Sequence, residues 1–238
     1  MTTPDWLERT SLLMGPDKME RFRRAHVLVV GTGGVGAYAA EMLVRAGIGR
    51  LTLLDADRVQ PSNINRQLCA LHSTVGEEKV RVLELRFKDI NPELDLTVRA
   101  EFLEEHSAGA LLDSAKFDFI VDAIDTIAPK CALIEEAMKR RIKIVSSMGA
   151  GAKTDITQIR FADLWETFHC GLSKAVRTRL KRNGMRRPLP VVFCAQQADP
   201  AALVRVEGER NKKTTTGTVS YMPAVFGCYL AQYVISRL

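Results

Sequence analysis

Residues 25–66 read AHVLVVGTGGVGAYAAEMLVRAGIGRLTLLDADRVQPSNINR, and the order of their side chains decides the fold. His26 to Val30 is a short, apolar, β-branched run. Gly31, Gly33 and Gly36 follow at the spacing that turns a strand tightly into a helix whose first N–H groups face an anion. Ala39, Ala40, Leu43, Val44 and Ile48 recur at helical spacing, and Gly47 and Gly49 are placed to cap that helix at its C-terminus. Leu51 to Leu54 reads as a second buried strand. It delivers Asp55 about 20 residues beyond the glycines, where an acid grips ribose hydroxyls.

Glycines and an acid alone point to a dinucleotide-binding dehydrogenase, but a GxGxxG match does not say which nucleotide is bound. The residues that follow shift the reading. A dehydrogenase holds one pyrophosphate, mostly with backbone amides, and has little use for further cations and a magnesium-type carboxylate. This chain supplies Asp57 close behind Asp55, then Asn63, Asn65 and Arg66, then Lys79 opening the next helix, and Asp125 at the strand end FDFIVDAIDT, residues 117–126. Arg and Lys neutralise a triphosphate, and Asp125 suits Mg²⁺. The bland alternatives are solvated charges for Arg66 and Lys79 and a turn-capping role for Asp57.

The GTGGVG turn, Asp55, the SNINRQ segment, Lys79 and the DAIDT strand end resemble the adenylating domain of the ubiquitin-activating-enzyme-like superfamily, which includes the sulfur-carrier adenylyltransferases. Within it the likeness is greatest to the tRNA threonylcarbamoyladenosine dehydratases, carried by LLMG (12–15), NRQLCALHSTVGEEK (65–79), DAIDTIAPKCALI (122–134) and VSSMGAGAKTDITQI (145–159). The resemblance covers most of residues 6–162. It implies an ATP-dependent activation: the carboxylate of N6-threonylcarbamoyladenosine in the tRNA anticodon loop attacks the α-phosphate, and the modification's own carbamoyl group then closes a ring and expels AMP. No enzyme nucleophile is required, because the second nucleophile is already tethered; positioning and charge stabilisation are the protein's part.

Position by position, the resemblance implies that Gly31, Gly33, Gly34 and Gly36 let the backbone approach the phosphates and that Asp55 and Asp57 serve the nucleotide. Asn63 and Arg66 would contact phosphate oxygens, Lys79 would stabilise charge at the α-phosphate, and Asp125 would place Mg²⁺. Lys130 resembles a family position near the adenylate, although a helix-face lysine explains it too. Arg9, six residues before Gly15, matches an arginine that in sulfur-carrier relatives reaches into the partner subunit's ATP site, which implies a homodimer.

The expected architecture is α/β: a Rossmann-like, doubly wound, mainly parallel sheet. Asn91-Pro92 ends a helix begun near Glu77, Leu94 to Val98 and Phe117 to Val121 are strand-like, Ile127 to Arg140 is helical, and Ile142 to Ser146 is a further strand. Residues 1–162 are expected to form the ATP-binding adenylating core. Residues 163–238 are expected to be a basic substrate-binding segment and a C-terminal helix packed on it in one compact unit. The chain of 238 residues is 46% hydrophobic and 26% charged, enough for a full core.

Charge is concentrated. Between Glu166 and Asp199 there is no acid but seven cations, Lys174, Arg177, Arg179, Lys181, Arg182, Arg186 and Arg187, and without them the formal net charge falls from +6 to −1. Such a segment fits a phosphate backbone, here tRNA; the alternative is a solvated loop-helix. A second patch, Arg205, Arg210, Lys212 and Lys213, is diluted by Glu207 and Glu209. The five cysteines form no CxxC pair, so the zinc site of many sulfur-carrier relatives lacks its ligands. Their odd number, in a chain showing no signal peptide, fits a reduced, cytoplasmic protein. Cys170 and Cys194 are the candidates for a thiol acceptor, against the ordinary role of buried cysteine as a small hydrophobe.

Val219 to Ile235 reaches the lower edge of a membrane-spanning length, but Pro223, Gly227, Cys228 and Gln232 make it a poor lipid span. A buried helix at a subunit or domain interface is expected, with peripheral membrane contact the lesser alternative. Three functions stay open in falling order: the tRNA-modifying dehydratase, an adenylyltransferase for a ubiquitin-like sulfur-carrier partner, and a non-enzymatic module that binds NAD or ATP.

Overall fold

The computed structural model describes residues 4–205 and 214–238; the side chains of the second basic patch lie outside them. Two short helices, α1 (Glu8–Met14) and α2 (Pro16–Arg24), precede β1 (His26–Val30), α3 (Gly36–Arg45) and β2 (Arg50–Leu54). Then come α4 (Lys79–Ile90), β3 (Asp95–Arg99), α5 (Ala108–Asp113), β4 (Phe119–Asp122), α6 (Ile127–Lys139) and β5 (Lys143–Ser147). The chain continues through β6 (Ile159–Asp163), α7 (Gly171–Arg182), β7 (Pro190–Cys194), the short antiparallel pair β8 (Leu203–Arg205) and β9 (Thr214–Thr216), and α8 (Tyr221–Arg237).

Seven strands form one sheet in the order β3-β2-β1-β4-β5-β7-β6. All neighbours are parallel except β6, which runs against β7 at the edge. The expected doubly wound sheet is therefore present. β1 has no exposed residue because it is covered on both faces: Val27 and Val29 join one apolar cluster, with α3, α4 and α8, while Leu28 and Val30 join the other, with α5, α6 and α7. This alternation is the period-two geometry of a strand buried between two helical layers. β7 repeats it, with Val192 and Cys194 on one side and Val191 and Phe193 on the other. Residues beyond 162 thus supply a strand within the sheet, a feature the charge of that segment masks.

The helix after the glycine turn ends as a Schellman motif: Gly47, at φ +91°, donates to Val44 O at 3.0 Å and Ile48 N donates to Leu43 O at 3.2 Å. Gly49, expected as a second cap, lies instead just before β2, where an added Cβ would stand 1.9 Å from Arg23 O. α8 is buried along Met222, Phe226, Leu230 and Val234, one face at a spacing of four, and packs on α3 within the same chain rather than awaiting another subunit. The crossing is close: a Cβ on Gly227 would lie 2.5 Å from Val35 O and 2.8 Å from Ala39 N. No helix among the described residues is long and apolar enough to cross a membrane.

Lys130, read from sequence as a family position near the adenylate or a helix-face lysine, does not stand on a solvated face. It is fully buried, 2.8 Å from the equally buried Asp122 at the end of β4. Its Nζ also donates to Ile124 O at 3.0 Å, and Asp122 accepts from Ser146 Oγ at 2.6 Å and from Ile124 N at 3.1 Å. An interior ion pair survives only when hydrogen bonds satisfy both partners.

Gly227→Leu is expected to force α8 off α3 and lower stability by about 1–3 kcal/mol, read as a lower urea midpoint at unchanged slope. Lys130→Met should lose about 3–5 kcal/mol by stranding Asp122, with part regained in the Lys130→Met, Asp122→Asn double variant. Equal losses in single and double variants would show that the stranded charge is not the cause.

Candidate active site at the switch point of the sheet

Strand order reverses between β1 and β4, and ligands of such sheets bind beyond the carboxyl ends of the strands at that crevice. The glycine turn sits there. Gly31, at φ +86°, donates to Leu54 O at 2.9 Å, and a Cβ on it would stand 2.7 Å from Ala123 O. A Cβ on Gly36 would meet Gly31 O at 1.8 Å, so β1 enters α3 through a bend only glycines allow. No side chain among the described residues caps the start of α3, where Ala37 N donates to Gly33 O at 3.2 Å, and the positive end of the helix lies at the crevice. Gly33 is the open position, its virtual Cβ meeting nothing nearer than Gln67 Nε2 at 3.6 Å, whereas Gly34 faces Pro223 of α8 at 3.0 Å.

Asp55, at the end of β2, braces this turn: its Oδ2 accepts from Thr32 N at 2.6 Å and Thr32 Oγ1 at 3.0 Å, and its Oδ1 accepts from Asp57 N at 2.8 Å. A carboxylate has about four acceptor sites, which leaves capacity for a ribose hydroxyl. Gln67, buried beside Gly33, was not singled out from sequence. Its Oε1 finds no donor among the described residues, and an orphaned buried acceptor beside a glycine cradle fits a ligand that donates to it.

Lys79 is the first residue of α4, as the sequence indicates, but not at the cleft surface. Its side chain is 5% exposed and pairs at 2.7 Å with Asp57, which is 69% exposed. Its backbone is tied to the same segment: Lys79 N donates to Asp57 O at 3.0 Å, and Arg58 and Glu78 form an antiparallel bridge beside it. Asp57 is therefore the counter-ion of Lys79 rather than a turn cap. Asn63 is buried, with its Oδ1 accepting from Gln60 N at 3.0 Å, and Asn65 Nδ2 donates to Thr218 O at 2.9 Å. Arg66 is half-buried and rests its Nη1 on Ser62 O and Asn65 Oδ1, both at 2.9 Å. No carboxylate of the described residues pairs with it.

Asp125 is exposed in the loop between β4 and α6. Asp122 and Lys130 grip both backbone polar groups of Ile124 beside it, so the buried pair fixes the loop that presents Asp125. Sequence signals for this network were slight: one acid closing an apolar strand and one lysine eight residues on. Arg9 is not brought to this turn. It is exposed on α1, and Leu7, just before that helix, packs on Gly47 at the far end of α3, about 15 Å of helix away.

The seven cations of the basic segment separate by surroundings. Arg177 turns inward, its Nη1 donating to Leu164 O at 3.2 Å, to Thr167 O at 2.9 Å and to Thr167 Oγ1. Arg179 pairs with Glu105, and Arg187 reaches Met138 O at 3.3 Å. Lys174, Lys181, Arg182 and Arg186 are exposed on or just after α7, with no acid of the described residues paired to them. Of the two candidate thiols, Cys194 is buried and Cys170 caps α7, accepting from Ser173 N at 3.5 Å.

The ThiF family model matches residues 7–238. The chain is 36% identical over 97% of its length to the tRNA threonylcarbamoyladenosine dehydratase of Bacillus subtilis (strain 168), 93% of which is covered. The solved structure of the Escherichia coli tRNA N6-threonylcarbamoyladenosine dehydratase in complex with ATP superposes with a TM-score of 0.89 at 32% identity, covering 100% of this chain and 96% of that one. Molybdopterin-synthase adenylyltransferase of Escherichia coli (strain K12) is 32% identical over only 65% of the chain, 61% of its own length. The chain belongs to the ThiF family, among the tRNA threonylcarbamoyladenosine dehydratases.

Proposed function

We propose that this chain is an ATP-dependent dehydratase acting on N6-threonylcarbamoyladenosine in the anticodon loop of tRNA. The observation that carries the reading is that likeness to the dehydratases runs through the basic segment and α8, while likeness to the carrier-activating relative covers about two thirds of the chain. The site geometry fits ATP: an open glycine position, an acid with spare acceptor sites, and Arg66 with no counter-ion among the described residues beside a crevice.

A carboxylate oxygen of the substrate attacks the α-phosphorus as the bond to the bridging oxygen breaks and pyrophosphate leaves. The carbamoyl group then attacks the activated carboxyl carbon, loses a proton and expels AMP, which carries away that carboxylate oxygen. The first amides of α3 and Arg66 hold phosphate oxygens. Lys79 exchanges Asp57 for the α-phosphate, so its charge is kept desolvated until a nucleotide arrives. Mg²⁺, held by Asp125 and by phosphate oxygens, would neutralise the triphosphate; one carboxylate plus substrate phosphates is its usual coordination. Among the described residues no cluster of three acid, His or Cys side chains offers it another seat. Lys174, Lys181, Arg182 and Arg186 hold the tRNA backbone. A homodimer completes the site, the partner supplying Arg9 from α1, where Leu12 and Leu13 are 80% and 81% exposed.

Arg66→Ala and Lys79→Ala are each expected to cut pyrophosphate release with modified tRNA by about a hundredfold or more, as loss of one charge-stabilising donor does. Retained turnover in both, or stimulation by a carrier protein instead of tRNA, would overturn the assignment. In sedimentation equilibrium the Leu12→Ser, Leu13→Ser variant should be monomeric and the unaltered chain dimeric.

A further inference from the structure

The segment entering α7 carries a feature that the adenylation step does not use. From Asp163, paired with Pro190 at the amino-terminal edge of the parallel strands, the chain climbs back across the α6–α7 face. It regains the carboxyl edge at His169, whose Nδ1 lies 3.1 Å from Ala195 O just beyond β7. On that climb Phe168 stays 43% exposed although three groups hold it. Buried Phe193 meets it with centroids 5.4 Å apart at 78°, His169 at 5.1 Å and 86°, and the Arg160 guanidinium lies 5.3 Å from its centroid. Both aromatic neighbours stand nearly perpendicular to it and Arg160 lies over one face of the ring, so among the described residues no ring is stacked in parallel on Phe168. His169 itself has φ +50°, a left-handed conformation costing about 1–2 kcal/mol outside glycine. Single exposed apolar side chains are ordinary; one braced this firmly beside a strained residue calls for a use.

Its place in the fold supplies one. α7 begins two residues after His169, and a Cβ on Gly149 would lie 3.4 Å from Cys170 Sγ, which ties the start of α7 to the end of β5 at the edge bearing the glycine turn. From there Lys174, Thr178 and Arg182 share one face of α7 at intervals of four. With Gly171, Ala175 and Ile127 they line an open groove of about 450 Å³. Ile127 opens α6 two residues past Asp125, so the groove leads away from that edge past Arg179, which pairs with Glu105, and along Lys174 and Arg182, to which no acid of the described residues is paired.

We propose that Phe168 is a stacking platform for an unpaired nucleobase of the RNA substrate flanking the modified nucleotide, with Lys174 and Arg182 holding phosphates along α7. Single-stranded RNA is held by bases stacked on aromatic rings and by cations along its backbone. The inference rests on the tRNA reading above.

The test is binding of an anticodon stem-loop carrying threonylcarbamoyladenosine, by fluorescence anisotropy, with ATP affinity and thermal midpoint measured alongside. Phe168→Leu keeps an apolar group on Phe193 but removes the ring face; it should bind the stem-loop about tenfold more weakly or worse. ATP affinity, the midpoint and binding of a fully paired RNA duplex should stay as in the unaltered chain. Phe168→Tyr should restore stem-loop binding. Unchanged affinity in Phe168→Leu, or equal loss of stem-loop and duplex, overturns the platform and leaves the tRNA reading standing. An unaltered chain that ignores the stem-loop overturns both.

Discussion

Three pieces of backbone meet at one point in this molecule: the bend after β1, the end of β4 and the start of α3. A Cβ on Gly36 would collide with Gly31 O, and one on Gly31 with Ala123 O. The contact therefore joins the first strand to the strand on the far side of the switch point, and it aims the positive end of α3 at the crevice between them. α8 is fitted to the same spot, with Pro223 against Gly34 and Gly227 against Val35. The last helix of the chain thus backs the turn that the first strand makes, and the nucleotide site depends on the C-terminus for its shape.

Charge in the cleft is arranged in two depths. Asp122 and Lys130 are wholly enclosed and hydrogen-bonded to their surroundings, a structural pair whose effect is to fix a loop. Lys79 and Asp57 differ: the cation is enclosed and the acid is in solvent. Breaking the second pair moves only the acid into fuller hydration, and with another anion in its place that would cost far less than opening the first. Burial decides which lysine is free to change partners.

Sequence periodicity located the turn, the alternation through β5 and the helix at the C-terminus because each is a long or strongly patterned feature. Lys79 falls at the start of the expected helix, but its enclosure beside Asp57 is a tertiary contact across 22 residues that no local pattern encodes. β7 escaped notice because a strand buried on both faces does not alternate, and VVFC follows a run of arginines that draws the eye to charge. The charge of that run does not show which cations are engaged: Arg177 and Arg179 sit on the same helix as Lys174 and Arg182, yet the first donates to Thr167 and the second pairs with Glu105, 74 residues away. Gln67 and the Asp122–Lys130 pair likewise take their roles from tertiary burial, which their neighbours in the sequence do not announce.

Four of the five thiols are poorly placed to take up an activated acyl group. Burial pushes the Cys131 thiol up to about 12 and raises that of Cys69 despite nearby Lys79, so neither supplies thiolate at neutral pH. Cys194 is sealed in the sheet and Cys170 is engaged at the start of α7. An acyl adenylate formed here has a nucleophile of its own a few bonds away, and an intramolecular attack of that kind has an effective concentration of about 10⁵ M or more when well oriented. A thiol relay would insert a step slower than the one it replaced. The dehydration accordingly asks the protein for positioning rather than for a nucleophile, and the substrate completes the reaction on itself.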